Sequence, residues 1–225
     1  MLIRNGLIIL LMSCSAWQAY AQKEIQVREE PRHKNVFENA YLRILDVYIR
    51  PSDTTLFHKH STASVIIVFT NTRLSTEEHG EAPVFGHTVP GSITYAAFDE
   101  NPVFHRVINN DTSLFHVMDI ELLGNAATSA AEVSRELDIL PAWQQNRVNA
   151  YTIYAEAGQV VHKTPSKRPQ LLVCVTGSAS LLIGNATNPV TMIIGSFAWI
   201  ERSAGFQVTG QSTPGTGFVL LDLNQ

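Results

Sequence analysis

Three histidines of this chain have a spacing that suits metal binding. His58 and His60 are separated by one residue, and His105 follows 45 residues later. In an extended strand, residues i and i+2 point to the same face, so the first two imidazoles lie on one side. Segment 103–109 is a second predicted strand, and His105 meets the pair if the two strands fold over each other. Three neutral imidazoles can hold zinc or non-haem iron with coordination positions open, so the pattern predicts a metal site without naming a reaction.

The N-terminus has the composition of an export signal. Arg4 gives a positive start, residues 7–12 are an unbroken apolar run, and a small-x-small motif ends at Ala21. The apolar run is too short to span a bilayer. We therefore predict a periplasmic or secreted protein cleaved near Ala21, with residues 1–21 as signal peptide. The alternative is a lipoprotein anchored at Cys14.

The remaining chain has the size and charge of a protein that does not bind nucleic acid. Removal of residues 1–21 leaves 204 of 225 residues, and because Arg4 is the only charge removed, the formal net charge changes from −4 to −5. Basic residues are scattered rather than gathered in a stripe, which argues against a nucleic-acid partner. No later segment is apolar enough to cross a membrane. Cys174 is then the single cysteine, and its apolar neighbours indicate a buried structural thiol.

Short strands separated by turns make up most of the chain. Alternating or continuous apolar patterns predict strands at 41–50, 65–69, 92–98, 103–109 and 114–122. One helix is predicted, at 130–140, because Ser129 and Glu132 form a capping-box pattern and Pro141 would end it. We expect this helix to separate two β-rich halves.

The two halves also resemble each other in sequence. The paired segments are 58–60 with 162–164, 65–70 with 171–176, 91–96 with 195–200, and 104–107 with 205–208. Because the order of the segments is kept, the pattern predicts a duplicated antiparallel β-domain. Thr164 then stands where the first half has His60, and Phe206, or Gln207 under a shifted alignment, stands in place of His105. His162 alone cannot hold a metal, so we expect any chemistry in the N-terminal half.

With these motifs in this order, the chain resembles the cupin superfamily as a two-domain bicupin. His58 and His60 match the His-x-His of the family's first motif, while Gly91, His105 and Asn109 match the opening glycine and the His-x-x-x-Asn of its second. The resemblance implies an all-β fold of two antiparallel double-stranded β-helix (cupin, jelly-roll) barrels joined by a short helical linker. The implied domains are 22–124, a linker at 125–146, and a degenerate second barrel at 147–225.

The chain departs from the family pattern where a metal-binding glutamate is expected. That position, four residues after His60, is Ser64. A three-histidine site remains chemically sound without it. Further candidates to line the pocket or to hold the ligands in place are Ser64, Tyr95, Asn109 and His116. His33 lies in a charged stretch and is expected to be solvated.

Two functions fit these observations. The first is an exported metal-binding bicupin with one divalent ion, Fe(II), Mn or Zn, on His58, His60 and His105. It would be a metal-dependent enzyme, dioxygenase-like or related, that acts on a small oxygen-bearing molecule. The alternative is a non-catalytic module of the cell envelope that binds a small ligand or a protein. The sequence leaves catalysis itself open, and the resemblance adds a homodimer as a candidate assembly.

Overall fold

The computed structural model describes residues 24–125 and 136–224, and nearly all regular structure in these ranges is β-strand. The N-terminal part contains β1 (Ile25–Gln26), a 3₁₀ turn (Val27–Glu29), β2 (His33–Glu38), β3 (Leu42–Ile49), β4 (His58–His60), β5 (Ser64–Val68), β6 (Arg73–Glu78), β7 (Val84–His87), β8 (Ile93–Ala96), β9 (Val103–Asn109) and β10 (Phe115–Leu122). The C-terminal part contains β11 (Ile139–Gln144), β12 (Val148–Ala155), β13 (Val160–Lys163), β14 (Gln170–Thr176), β15 (Ser178–Ile183), β16 (Val190–Ile193), β17 (Phe197–Ile200), β18 (Phe206–Gly210) and β19 (Thr216–Leu223).

Each part folds into two sheets that enclose a core of their own. In the N-terminal barrel the strand orders are β1-β4-β9-β6-β7 and β2-β3-β10-β5-β8. In the C-terminal barrel they are β13-β18-β15-β16 and β11-β12-β19-β14-β17. A third apolar core lies between the two barrels. It forms where sheet β2-β3-β10-β5-β8 of the first barrel packs against sheet β11-β12-β19-β14-β17 of the second. The expected all-β fold of two antiparallel barrels is therefore confirmed.

Strand β10 shows how one sequence serves both cores. All eight of its residues are buried, because the strand lies in the sheet that separates the N-terminal barrel from the C-terminal barrel. Met118 and Ile120 face the core between the barrels, whereas Val117 packs in the core of the N-terminal barrel. The strand period of two then turns Asp119 toward the barrel interior as well. A carboxylate is thereby placed beside the predicted metal ligands.

The two barrels have the same strand order, but the sequence alignment of their β4 and β13 segments was wrong by one residue. His58 pairs with His105 in one barrel, and Lys163 pairs with Phe206 in the other. The loops from β9 to β10 and from β18 to β19 have equal length, so Phe206 is the structural counterpart of His105. Lys163, and not His162, is therefore the counterpart of His58. Burial agrees, because Lys163 is buried and His162 is exposed. A duplication as the origin of both barrels stays a prediction.

The predicted helix at 130–140 is wrong in the part that the structure describes. Residues 126–135 lie outside the described ranges, as do Ser129 and Glu132, whereas residues 139–144 form strand β11. This strand pairs with β12 alone at the edge of its sheet, and its register shifts between Pro141 and Trp143. An edge strand with a bulge tolerates proline, which lacks a backbone N–H, so Pro141 did not mark a helix end. The predicted signal segment 1–21 also lies outside the description, and no described helix is long and apolar enough to cross a membrane.

Candidate metal centre

Four histidines converge inside the N-terminal barrel. His58 and His60 point inward from β4, and His105 lies directly across from His58 on β9. The His105 ring centroid is 4.8 Å from that of His58 and 5.0 Å from that of His60. His33, at the start of β2, is the fourth, with its ring centroid 4.6 Å from that of His58. One ligand atom from each of His33, His58 and His60 lies within 4.8 Å of the others.

The local structure explains why these rings face each other. Strand β4 is only three residues long, and the alternation of its side chains leaves Lys59 on the opposite face, where it forms an ion pair with Glu24. His58 is fully buried and His60 nearly so. The ring of Phe98 packs on His60 at 4.7 Å between centroids. The histidines are thus held in a largely water-excluded interior.

In His33, His58 and His60, the Nδ1 atom faces a hydrogen-bond acceptor. Nδ1 of His33 donates to the Glu30 carboxylate at 2.8 Å, and Nδ1 of His58 donates to the backbone carbonyl of Leu56 at 2.8 Å. Nδ1 of His60 lies 3.4 Å from Oδ2 of Asp119, which is longer than a good hydrogen bond. A proton on Nδ1 leaves Nε2 as the atom with the free lone pair. Three acceptors on three different segments therefore favour the tautomer that binds a metal through Nε2.

The geometry between His58 and His60 fits a shared cation. Their Nε2 atoms are 3.1 Å apart. Two lone pairs at that distance repel each other unless a proton or a cation lies between them. Two nitrogens that each bind one ion at about 2.0–2.1 Å are themselves roughly 3 Å apart, which matches the observed separation. In addition, Nε2 of His105 is buried without a hydrogen-bond partner. The donor set therefore suits a divalent metal ion.

Burial controls the charge of this cluster. It lowers the pKa of His58 to about 3, and the neighbouring His33 and His60 lower it further. Burial, together with the neighbouring His60, His58 and His33, lowers the pKa of His105 to about 2. Both imidazoles are therefore neutral at pH 7, which is the form that binds metals. Burial alone would raise the pKa of Glu30, but hydrogen bonds from His33 and from backbone N–H groups hold it near about 2.

The other predicted site residues have different positions. Ser64 is fully buried, donates to the backbone carbonyl of Thr62 at 3.2 Å, and lies beside Asp119. Asn109 closes the turn after β9, because its side-chain amide donates to the carbonyls of Ile49 and Ser113, both at 2.9 Å. Of these two residues, Ser64 alone is next to the candidate centre.

Tyr95 and His116 require a correction, because both face the C-terminal barrel rather than the histidines. Tyr95 packs on Trp143 in the core between the barrels. His116 has the strand parity of Met118, donates to Asp46 at 2.7 Å and stacks on Tyr48. The sequence pattern predicted that this face of β10 points into the N-terminal barrel, but it points toward the C-terminal barrel.

Sequence reasoning missed three residues of the centre. His33 was expected to be solvated, but it is buried by its pairing with Glu30 and its contact with His58. Neither the position of Glu30 beside His33 nor that of Asp119 beside His60 was predicted. The spacing of Glu30 and His33, which places both on one turn, was an available signal. Asp119 was visible as a carboxylate between the apolar residues Met118 and Ile120 of a buried strand.

The C-terminal barrel has no corresponding set of histidines among its described residues. Lys163, the counterpart of His58, is buried and pairs with Glu136 at 3.1 Å. Pro165 follows two residues later, where the first barrel has His60, and Phe206 replaces His105. The expected loss of the ligands in this half is therefore seen, with Phe206 in place of His105 as the alignment named and with Lys163 and Pro165 instead of His162 and Thr164.

Comparisons with known proteins show similarity at the level of structure only. No family model matches the chain, and no curated protein matches it. The crystal structure of AerE from Microcystis aeruginosa aligns with 87% of this chain and 99% of that chain, with a TM-score of 0.60 and 10% identity. Salicylate 1,2-dioxygenase from Pseudaminobacter salicylatoxidans aligns with 85% of this chain and 76% of its own, with a TM-score of 0.59 and 9% identity.

A third solved structure gives the same result. Oxalate decarboxylase from Lactobacillus farciminis, in its formate complex, aligns with 83% of this chain and 78% of its own, with a TM-score of 0.55 and 11% identity. At such identities the likeness establishes the fold, and the function has to be argued from the site.

Proposed function

We propose that this chain, which has the cupin fold with two barrels, binds one divalent metal ion in its N-terminal barrel. His33, His58 and His60 would hold the ion, and the unpartnered Nε2 of His105 would be a fourth ligand. The observation that carries the proposal is the grouping of one ligand atom from each of these three histidines within 4.8 Å, with an acceptor facing each Nδ1 atom.

The chemistry that we propose is that of a metal-dependent enzyme acting on a small oxygen-bearing molecule. A bound ion, which we propose to be Fe(II), Mn or Zn, supplies Lewis-acid or oxygen-activating chemistry. Glu30 and Asp119 orient His33 and His60, and Phe98 helps to exclude water. The two buried carboxylates also bring negative charge close to the ligands, in a chain that lacks the family glutamate at Ser64. The dioxygenase-like form of this activity rests on the donor set of the site, since the fold shared with salicylate 1,2-dioxygenase does not by itself carry a function.

The first test is metal content by elemental mass spectrometry of the purified chain. We expect about one ion per chain, and its loss in a His58→Ala/His60→Ala variant. His162→Ala is the matched control, because this histidine is exposed in the C-terminal barrel and should not alter the metal content. If neither the protein as purified nor the protein incubated with each ion holds a metal, the enzyme proposal is wrong. The alternative, a non-catalytic module for a small ligand or a protein, then takes its place.

A second test measures separately how much His33 and His105 contribute to metal binding. The sequence pointed to His105, whereas the atoms grouped most closely include His33. We expect His33→Ala to weaken metal binding strongly, because it removes one of the three grouped ligand atoms and leaves His105 as the only addition to His58 and His60. If His33→Ala keeps full affinity and His105→Ala abolishes it, the ligand set is His58, His60 and His105, and His33 only packs against it.

We also propose that the protein is exported. The support is the charge and apolar pattern of residues 1–21, which end in the motif before Gln22. The intact mass of the protein recovered from the cell envelope or medium would identify the processing site. A chain that begins at Gln22 supports cleavage after Ala21, a lipidated Cys14 supports an anchored form, and an unprocessed chain contradicts both.

A further inference from the structure

A second candidate site lies on the surface of the N-terminal barrel, where β2 begins and β3 ends. A cavity of about 610 Å³ opens there. Its lining includes three cationic side chains and one carboxylate, together with aromatic and aliphatic surface. We call it the basic cavity, and the residues that define it are Arg32, Lys34, Tyr48, Arg50, Asp53 and Leu114.

Two of the three cations in the basic cavity have no partner of their own. Nε and one terminal nitrogen of Arg32 donate to Asp53 at 2.8 and 2.7 Å, and the other terminal nitrogen donates to Glu30 at 3.1 Å. This arrangement compensates the charge of Asp53. Within residues 24–125 and 136–224, Lys34 and Arg50 form no side-chain hydrogen bond and no ion pair. The lining therefore carries three cations against one carboxylate, and Arg50 also interacts electrostatically with Asp53.

Strand pairing explains why Lys34 and Arg50 lie at the same cavity. Lys34 lies across from Asp46 in the β2–β3 pair, but the Asp46 carboxylate is hydrogen bonded to His116 at 2.7 Å and forms no ion pair with Lys34. Arg50 follows the last residue of β3, where the strand has left the sheet. The chain as a whole carries a formal charge of −4, so a local excess of cations is not a consequence of composition. Two cations without a hydrogen-bonded carboxylate at one cavity can pair with an anion.

We propose that the basic cavity binds a small organic anion with a carboxylate or phosphate group and an apolar or aromatic body. Lys34 and Arg50 pair with the anionic group, and Arg32 adds a positive charge that Asp53 holds in place. Tyr48 and Leu114 offer the apolar surface on which the remainder of the ligand packs. The lining does not include the histidines of the metal centre, so this binding does not require a metal.

The test is a titration of the full chain with benzoate and with phenyl phosphate, followed by NMR or calorimetry. We expect saturable binding of at least one anion, weakened by added salt and at least tenfold weaker in a Lys34→Ala/Arg50→Ala variant. Benzoate and phenyl phosphate distinguish a carboxylate ligand from a phosphate ligand. Benzyl alcohol, which is uncharged, should not bind.

Two control variants make the result specific. Arg28→Ala/Lys167→Ala removes two exposed cations elsewhere and should bind the anion like the unmodified protein. His58→Ala/His60→Ala removes the metal centre and should also bind normally, so failure of the metal proposal would not affect this test. No binding up to about 10 mM, or equal binding by the Lys34→Ala/Arg50→Ala variant, would overturn the inference. Binding lost only in the histidine variant would assign the anion to the metal centre instead.

Discussion

Lys163 occupies in the C-terminal barrel the position that His58 occupies in the N-terminal barrel. Each is buried and points inward from the short strand that pairs with β18 or β9. The Lys163 ammonium is 3.1 Å from Glu136, while in the first barrel Glu30 is hydrogen bonded to His33. One barrel thus carries a cation that belongs to the chain, and the other carries neutral imidazoles that suit an external cation.

This relationship predicts that Lys163→Ala lowers stability and leaves the metal content unchanged. The substitution leaves the half-buried Glu136 carboxylate without its ammonium partner, which should reduce the free energy of unfolding by about 1–3 kcal/mol. Urea unfolding and elemental analysis measure the two effects separately. Lys167→Ala, at an exposed neighbour, is the control and should change neither quantity. Loss of metal in Lys163→Ala would mean that the second barrel takes part in binding.

Asp119 is predicted to contribute to metal affinity although it is not a ligand. Its carboxylate is buried with no hydrogen-bond partner and lies 3.4 Å from Nδ1 of His60. Asp119→Asn should weaken binding about 10- to 100-fold, because the negative charge behind His60 is lost while the shape is kept. Competition with a coloured zinc chelator measures the affinity.

The matched control for Asp119 is Glu121→Gln. Glu121 lies on the same face of β10 but pairs with Arg43 at 2.6 Å instead of with a histidine. This variant should keep the affinity of the unmodified protein, provided that circular dichroism shows both variants folded. Equal losses in the two variants would indicate a general effect of charge in the barrel rather than a specific effect on His60.

Gly195 is predicted to fix the contact between the barrels. It has a φ of +81°, and a Cβ atom there would lie 2.9 Å from Cε1 of His116. Gly91 has the same φ of +81° at the equivalent turn, but a Cβ there would meet nothing within 4 Å. Gly91→Ala should therefore cost about 1–2 kcal/mol from backbone strain, and Gly195→Ala about 1–3 kcal/mol more from the clash. Chemical unfolding measures both.

A third variant tests whether the clash with His116 causes the additional loss of stability expected for Gly195→Ala. In Gly195→Ala/His116→Ala the clashing ring is absent, so the two substitutions together should destabilise less than the sum of the two alone. Additive effects would show that the ring of His116 moves aside freely and that the turn, not the contact, limits this position.

Much of the fold and half of the centre could be predicted from sequence, for a physical reason. The alternation in β3 and β10 and the His-x-His spacing of β4 are local signals, and they identified strands and inward-facing imidazoles correctly. The burial of His33 depends instead on Glu30, Arg32 and the packing of β2 against β3, which a charged local sequence conceals. The alignment was wrong by one residue because it placed His162 on His58 for their identity. Strand pairing instead makes the buried Lys163 the counterpart of His58.

Cys174 provides a final prediction, which concerns the stability of the C-terminal barrel. Its side chain is fully buried in the core of that barrel, and burial raises the pKa of the thiol to about 11. At pH 8 the thiolate fraction is then only about one in a thousand, and a thiol reagent cannot reach the sulfur without opening of the barrel.

Modification of Cys174 measures this opening in the chain beginning at Gln22, where it is the only cysteine. The reaction with a thiol reagent should be very slow for the folded protein and fast in denaturant. Since the rate reports opening of the second barrel, Lys163→Ala should accelerate the modification and Asp119→Asn should not. Equal rates for folded and denatured protein would contradict the burial of this thiol.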